Sequence, residues 1–122
     1  MTPHALLIED EANIAEAIRF LLTRDGWRVS HVASGNEAVA AVQSLLPDLV
    51  ILDLMLPGRS GLAILQDLRA AKATEMLPVM MLTAKNQSSD RDAAERAGAS
   101  LFMAKPFANA DLLRACRSLV AR

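Results

Sequence analysis

Four short apolar runs punctuate the chain, and each ends on a polar residue. Ala5-Leu6-Leu7-Ile8 leads into Glu9-Asp10, Leu49-Val50-Ile51-Leu52 into Asp53, Val79-Met80-Met81-Leu82 into Thr83, and Leu101-Phe102-Met103-Ala104 into Lys105. Apolar runs of this length without alternation predict strands buried on both faces of a parallel sheet. Trp27 to Ala33 reads differently: Trp27, Val29, His31 and Ala33 alternate with Arg28, Ser30, Val32 and Ser34. This more polar strand suits a sheet edge.

Between the strands the period changes to that of amphipathic helices. Ile14, Ile18, Leu21 and Leu22 share the first helical face, with Asp10 expected to cap its start and Gly26 to end it. Ala38, Val42, Leu45 and Leu46 form the second stripe, opened by the capping box Ser34-Gly35-Asn36-Glu37 and stopped by Pro47. Leu65 and Leu68 anchor a third helix that starts near Gly61 and fades by Thr74. A fourth, about residues 89–97, offers the core only Ala93, Ala94 and Ala97, and Gly98 ends it. Such a face buries little area, so this helix is expected to be held loosely. The fifth starts at Asn109 and buries Leu112, Leu113, Cys116, Leu119 and Val120. Five βα repeats predict a doubly wound α/β fold with helices on both faces of a five-stranded parallel sheet. The flavodoxin-like order 2-1-3-4-5 centres the strand ending in Asp53 and leaves the polar strand at an edge.

That layout decides the chemistry, because ligands in such sheets bind outside the carboxyl ends of the strands. Glu9, Asp10 and Asp53 are expected side by side there. Close carboxylates repel, and a hard, oxygen-seeking cation relieves them; Mg²⁺ is the natural candidate. Asp53, central and buried, is the best nucleophile toward phosphorus. Lys105 and Thr83 can hold the oxygens of a transferred phosphoryl group, by charge and by hydrogen bond, and phosphoryl transfer needs little beyond positioning and charge stabilisation. The small side chain of Ala84 keeps access open.

Composition narrows the class without changing this picture. The chain has 122 residues, about half of them apolar, and a formal net charge of −1. It fits one domain over residues 1–122, with no output domain, and gives no electrostatic reason for direct contact with nucleic acid or an acidic membrane. The longest apolar stretch, Leu49 to Leu56, is interrupted by Asp53, so no membrane span is expected, and the N-terminus lacks the pattern of a signal peptide. With a single cysteine there is no disulfide framework, and a reducing cytoplasm is the expected compartment. Cys116 is expected to be a buried structural thiol, and the six methionines to fill gaps in the core. Trp27 is expected to cover the sheet margin. His4 and His31, in different strands, do not suggest a metal site.

Taken in order and at their spacings, Leu7-Ile8-Glu9-Asp10-Glu11, residues 51–58 (ILDLMLPG), Leu82-Thr83-Ala84, Gly98-Ala99 and Lys105-Pro106-Phe107 make the chain resemble the receiver domain of two-component response regulators. The resemblance covers about residues 4–119. It implies that Asp53 accepts a phosphoryl group from a phosphohistidine on a sensor kinase or phosphotransfer protein, or from acetyl phosphate. It also implies Mg²⁺ held by Asp10, Asp53 and the backbone carbonyl of Met55, with Glu9 acting mainly through water. Thr83 resembles the family's switch hydroxyl and Lys105 its phosphate-pairing lysine, with a cis bond to Pro106. Phe102 falls at the position of the switch aromatic, usually tyrosine, whose hydroxyl contact it cannot make. The implied output surface is the fourth helix, fifth strand and fifth helix, which could also support a homodimer. Glu11, Asn13, Pro106 and Phe107 fall where the family guides kinase docking.

Departures from the pattern matter as well. Two acidic residues that serve cross-dimer ion pairs in many DNA-binding members are here Ser100 and Leu101, although Arg91, Arg114 and Arg117 are present. Ser60 replaces a common acidic residue. Met55 and Lys85 occupy positions that tune phosphoryl lifetime; a methionine cannot orient an attacking water strongly, so slow self-dephosphorylation is expected. Two other functions are weaker. A Mg²⁺-dependent phosphohydrolase using an aspartyl-phosphate would want an aspartate where Met55 stands. A phosphorylation-independent scaffold would be expected to have lost some of the five site residues that are kept here.

Overall fold

A computed structural model describes residues 2–84 and 88–121. Its elements are β1 (His4–Ile8), α1 (Ala12–Arg24), β2 (Arg28–Val32), a 3-10 turn (Gly35–Glu37), α2 (Ala38–Leu45), β3 (Leu49–Asp53), α3 (Gly61–Ala70), β4 (Val79–Thr83), α4 (Ser88–Ala97), β5 (Leu101–Ala104) and α5 (Asn109–Val120). The strands form one sheet in the order β2-β1-β3-β4-β5, and every pairing is parallel. The order is the one the strand polarities predict: β1, β3 and β4 are buried along their whole length, while β2 on the edge is not. Register aligns the functional ends. Ile8 lies opposite Leu52, Asp53 opposite Leu82, and Thr83 opposite Ala104.

Alternation along each strand feeds two cores. Leu7, Ile51, Met80 and Leu82 face Ile18 and Leu22 of α1 and Leu112, Cys116 and Leu119 of α5. Leu6, Ile8, Val50, Leu52 and Met81 face the other way, toward Val42 of α2, Ile64, Leu65 and Leu68 of α3, and Ala94 of α4. A fully buried leucine contributes about 1.5–3 kcal/mol, and an alanine far less. The first layer is therefore anchored by both of its helices, whereas in the second α4 holds on by its alanine face.

Local signals explain most boundaries. α1 closes in a Schellman motif: the Gly26 amide donates to the Thr23 carbonyl at 3.1 Å and the Trp27 amide to the Leu22 carbonyl at 2.9 Å, with Gly26 at φ +91°. Ser60 Oγ accepts the Ala63 amide at 3.2 Å and starts α3. Four expectations need correction. Asp10 does not cap α1; Glu11 holds the cap position without a side-chain cap bond, and its own amide goes to Glu9 Oε2 at 3.1 Å. Ser34 caps a 3-10 turn rather than the α-helix itself, accepting the Asn36 amide at 3.2 Å. Leu45 and Leu46 leave the second stripe for solvent, because α2 ends one residue before Leu46. Trp27 does not sit over the margin; it is buried with Leu22 in the α1/α5 core, its Nε1 donating to Asp25 Oδ2 at 3.1 Å. The helix closure draws it inward.

Leu46 terminates α2 at φ 49°, ψ 59°, in the left-handed region, with its side chain 72 % exposed. A Cβ is disfavoured there, and glycine is the residue helices normally place at such a stop. Leu46→Gly is therefore expected to stabilise the fold by about 0.5–1 kcal/mol, net of glycine's greater freedom in the unfolded chain. A thermal melt should show a rise of roughly 2–4 °C; a fall would mean that the leucine's residual packing outweighs the backbone strain.

Candidate metal centre

The ends of β1 and β3 bring Glu9, Asp10 and Asp53 together, with one carboxylate oxygen from each within 4.8 Å of the others. Glu9 and Asp53 are buried and Asp10 is exposed, so the cluster opens to solvent on one side. Lys105 enters from the end of β5. Its Nζ donates to Glu9 Oε1 at 2.8 Å, lies 3.4 Å from Asp53 Oδ2, and reaches Glu11 Oε1 at 3.5 Å, while its side chain is only 7 % exposed. The Lys105 amide donates to the Thr83 carbonyl at 2.7 Å, and the Lys105–Pro106 bond is cis. Thr83, fully buried, ends β4 one residue beyond the partner of Asp53.

The backbone around Asp53 is packed closely. Asp53 Oδ1 accepts the Met55 amide at 3.3 Å, and the Gly61 amide donates to the Leu54 carbonyl at 2.9 Å. A Cβ on Gly61 would collide with the carbonyl oxygen of Asp53. Gly61 thus lets the first turn of α3 lie directly against the chain that carries the central carboxylate. The loop after Asp53 is held from its other side as well: the Gly35 amide donates to the Pro57 carbonyl at 3.1 Å, and a Cβ on Gly58 would strike the Asn36 side chain. Glu9 is tied down at its backbone too, since its carbonyl lies 2.7 Å from His31 Nε2.

Charge balance defines what the site lacks. Among the described residues, Lys105 is the one ammonium that meets the cluster, and it contacts Glu9, Asp53 and, at the rim, Glu11. Burial pushes the Asp53 carboxyl up to about 7, with the neighbouring Glu9 charge adding to the rise and Lys105 opposing it. Burial also works against the Lys105 charge, but the Glu9 and Asp53 carboxylates overcome it and its affinity for the proton is raised. An all-oxygen donor set with surplus negative charge and an open side fits a small hard cation that keeps several waters, as Mg²⁺ does. Met55, 56 % exposed, and Ala84 lie at the solvent side, which keeps the approach to Asp53 clear.

All five strand-end residues singled out in the sequence therefore lie at one edge of the sheet. Phe102 lies on β5, half-buried against the α2–α4 core, and Arg91 of α4 places its guanidinium carbon 5.0 Å from the ring centroid. That cation–π contact was not visible in the sequence, and neither was the part of Glu11 in holding Lys105. Gly61 could have been suspected: a glycine directly after a good serine cap serves no helical need. Arg114 pairs with Asp111 at 3.1 Å, and Arg117 pairs with Asp25, so both α5 arginines are engaged within the chain. Asn13, Ile14, Ala17, Pro106 and Phe107 meet Glu11 and Lys105 around a mostly apolar cleft of about 410 Å³. Lys85 lies outside the described residues. Cys116 is buried and its thiol is pushed up to about 12 by that burial, as suits a structural residue. His4 is bonded to Ser30 and Arg28, and among the described residues neither histidine joins a metal-ligating cluster.

The chain belongs to the response regulator receiver domain family, whose model matches residues 5–117. It is 37 % identical over its full length to the phosphate regulon transcriptional regulatory protein PhoB of Rhizobium meliloti, covering 54 % of that protein. It is 35 % identical, again over its full length, to the DNA-binding response regulator MtrA of Mycobacterium leprae, covering 53 % of it. The chain thus spans about half the length of the curated relatives it matches. Among solved structures, a response regulator from Chloroflexus aurantiacus matches with a TM-score of 0.95 at 34 % identity, each chain covered completely. The receiver domain of a Pseudomonas aeruginosa sensor histidine kinase, with magnesium coordinated in its active-site cleft, matches with a TM-score of 0.92 at 30 % identity, again over both whole chains. Among the described residues no helix is long and apolar enough to cross a membrane.

The Asp53 environment sets a pH dependence. Its proton is held more tightly in the folded chain than at the ordinary carboxyl value of 3.8, so the folded state carries the extra proton between about pH 4 and 7. Stability is thus greatest below that window and declines as pH rises through it. With divalent ions chelated, Asp53→Asn is expected to stabilise the fold more at pH 8 than at pH 5, by a difference of roughly 1–2 kcal/mol. Urea titrations at the two pH values read this directly, and an equal effect at both would show that Asp53 carries no buried-charge penalty.

Proposed function

We propose that this chain is a phosphorylation-controlled switch in two-component signalling, with Asp53 as the phosphoacceptor. The observation that carries the reading is the contact of one buried ammonium, Lys105 Nζ, with both Glu9 and Asp53 inside an acidic cluster at the strand ends. A carboxylate oxygen of Asp53 attacks phosphorus; the P–O bond forms as the bond to the donor breaks, and the donor imidazole or acetate keeps the electron pair. Lys105 neutralises charge on the equatorial oxygens, and Thr83 is placed to bind one of them. Mg²⁺, held by Asp10, Asp53 and the Met55 carbonyl with Glu9 nearby, would supply the remaining positive charge. Donors are a sensor histidine kinase or phosphotransfer protein, with the cleft between Glu11 and Phe107 as the docking edge. The chain catalyses only its own phosphorylation and dephosphorylation and works in the cytoplasm.

The phosphoryl group adds nearly two negative charges and three acceptor oxygens. It biases two packings of α4, β5 and α5, with Thr83 and Phe102 reporting occupancy of Asp53 to that surface. The surface addresses a partner or output domain; it does not itself contact nucleic acid. A homodimer formed there would rest on packing rather than on a ladder of ion pairs. Ser100 and Leu101 carry no charge, and Arg114 and Arg117 already have carboxylate partners.

The test is incubation with acetyl phosphate and Mg²⁺ followed by intact mass. Wild type should gain one phosphoryl group and Asp53→Asn none; no gain in wild type, or equal gain in both, overturns the reading. Mg²⁺ at millimolar concentration should raise the wild-type Tm and leave that of Asp10→Ala nearly unchanged. With Met55 exposed and without a strong hydrogen-bonding group, the phosphorylated protein should persist well beyond a minute in Mg²⁺. A half-life of seconds would contradict this.

A further inference from the structure

α4 is held very unevenly, and one side chain accounts for most of the difference. Arg69, in the last turn of α3, extends past the end of its helix and donates in three directions. Nε donates to the Gly98 carbonyl at 2.9 Å, Nη1 to the Thr74 carbonyl at 3.0 Å, and Nη2 to Ser100 Oγ at 3.4 Å. Ser100 Oγ also accepts the Val79 amide at 3.0 Å, so the network reaches the first residue of β4. The arginine stem lies flat on Gly98: a Cβ there would sit 3.1–3.2 Å from Arg69 Cγ, Nε and Cδ, and Gly98 has φ +100°. A planar guanidinium with fixed donor directions suits this role, and the single charge of a lysine does not.

Along α4 itself the apolar grip is slight. Ala94 is its one fully buried residue among those described. The α3/α4 boundary is a cleft of about 540 Å³ lined by Gln66, Arg69 and Ala70 of α3 and by Ala93, Arg96 and Ala97 in the C-terminal half of α4. Nearer the N-terminal end, the contact with β5 is Arg91 over the Phe102 ring.

We propose that Arg69 is the pivot of the switch: it pins the joint between α4 and β5 so that α4 swings from that fixed end. The consequence is directional. Rearrangement enters at the N-terminal half of α4, beside Thr83 and the Arg91–Phe102 contact, and stops at Gly98. The swing on phosphorylation rests on Asp53 being the phosphoacceptor; the pinning does not.

Hydrogen exchange along the full chain, read by residue, tests both parts. The reporters are the amides of Gly98, Ala99 and Ser100, which donate to the Glu95, Ala94 and Val79 carbonyls. In unphosphorylated protein, Arg69→Gln is expected to speed their exchange at least ten-fold while β1 and α1 are unchanged. Arg69→Lys, the milder change should the first variant fold poorly, is expected to give an effect of the same sign. Unchanged exchange at these three amides overturns the pin. After acetyl phosphate and Mg²⁺, wild type should change over residues 89–94 and hold at 98–100, and Arg69→Gln should change over both. An equal change at both ends of α4 in wild type overturns the pivot. Intact mass on the same samples identifies the separate case in which Asp53 gains no phosphoryl group; that case sinks the phosphoacceptor reading and the phosphorylation-driven swing with it, and leaves the pin to the unphosphorylated arm.

Discussion

The structure depends on holding two buried carboxylates, Glu9 and Asp53, against one buried ammonium, Lys105. Like charges at this spacing repel strongly where water is scarce, and a lone ion pair cannot balance three acids. The fold contains the repulsion with a rigid frame. Glu9 is fixed through its side chain to the Glu11 amide and through its carbonyl to His31. Asp53 is fixed through the Met55 amide and through the close approach of Gly61 to its own carbonyl. The result is a site strained by charge rather than by backbone, ready for a cation and for a group that disperses the excess.

That frame is asymmetric across the sheet. On one face of the sheet, α1 and α5 press leucines, an isoleucine and Trp27 into a continuous core, and Asp25 ties the end of α5 to the closure of α1 by bonding both Arg117 and Trp27. On the other face the apolar contribution declines from α3 to α4, where alanine replaces leucine. The cost of moving an element scales with the apolar area it must give up, so the compliant part of the molecule is set by composition. The rigid face borders the cleft beside Lys105, and the compliant face carries Phe102 and α4.

The curated relatives that this chain matches are longer proteins. In those relatives the matched segment is about half the protein. In this chain the α5 arginines are spent on Asp25 and Asp111, and the joint between α4 and β5 is uncharged at Ser100 and Leu101. Ser100 Oγ accepts from the Val79 amide and from Arg69 of α3.

Much of this was legible in the sequence because local physics dictated it. Apolar runs without alternation made β1, β3, β4 and β5, polar alternation put β2 at the edge, and the residue closing each run fell at the carboxyl end of the sheet. Gly26 and Gly98 marked helix ends by their intrinsic preferences. What the sequence could not hold was any contact between residues distant along it. The left-handed stop at Leu46, the inward turn of Trp27, the reach of Arg69 across to Gly98 and the stacking of Arg91 on Phe102 depend on where other elements end. The same is true of the acidity at Asp53: its residue type says only that it can be charged, whereas burial beside Glu9 moves its pKa to about 7. Periodicity is a property of neighbours in the chain and can be read along it; desolvation and long-range hydrogen bonding are properties of neighbours in space, which only the folded chain brings together.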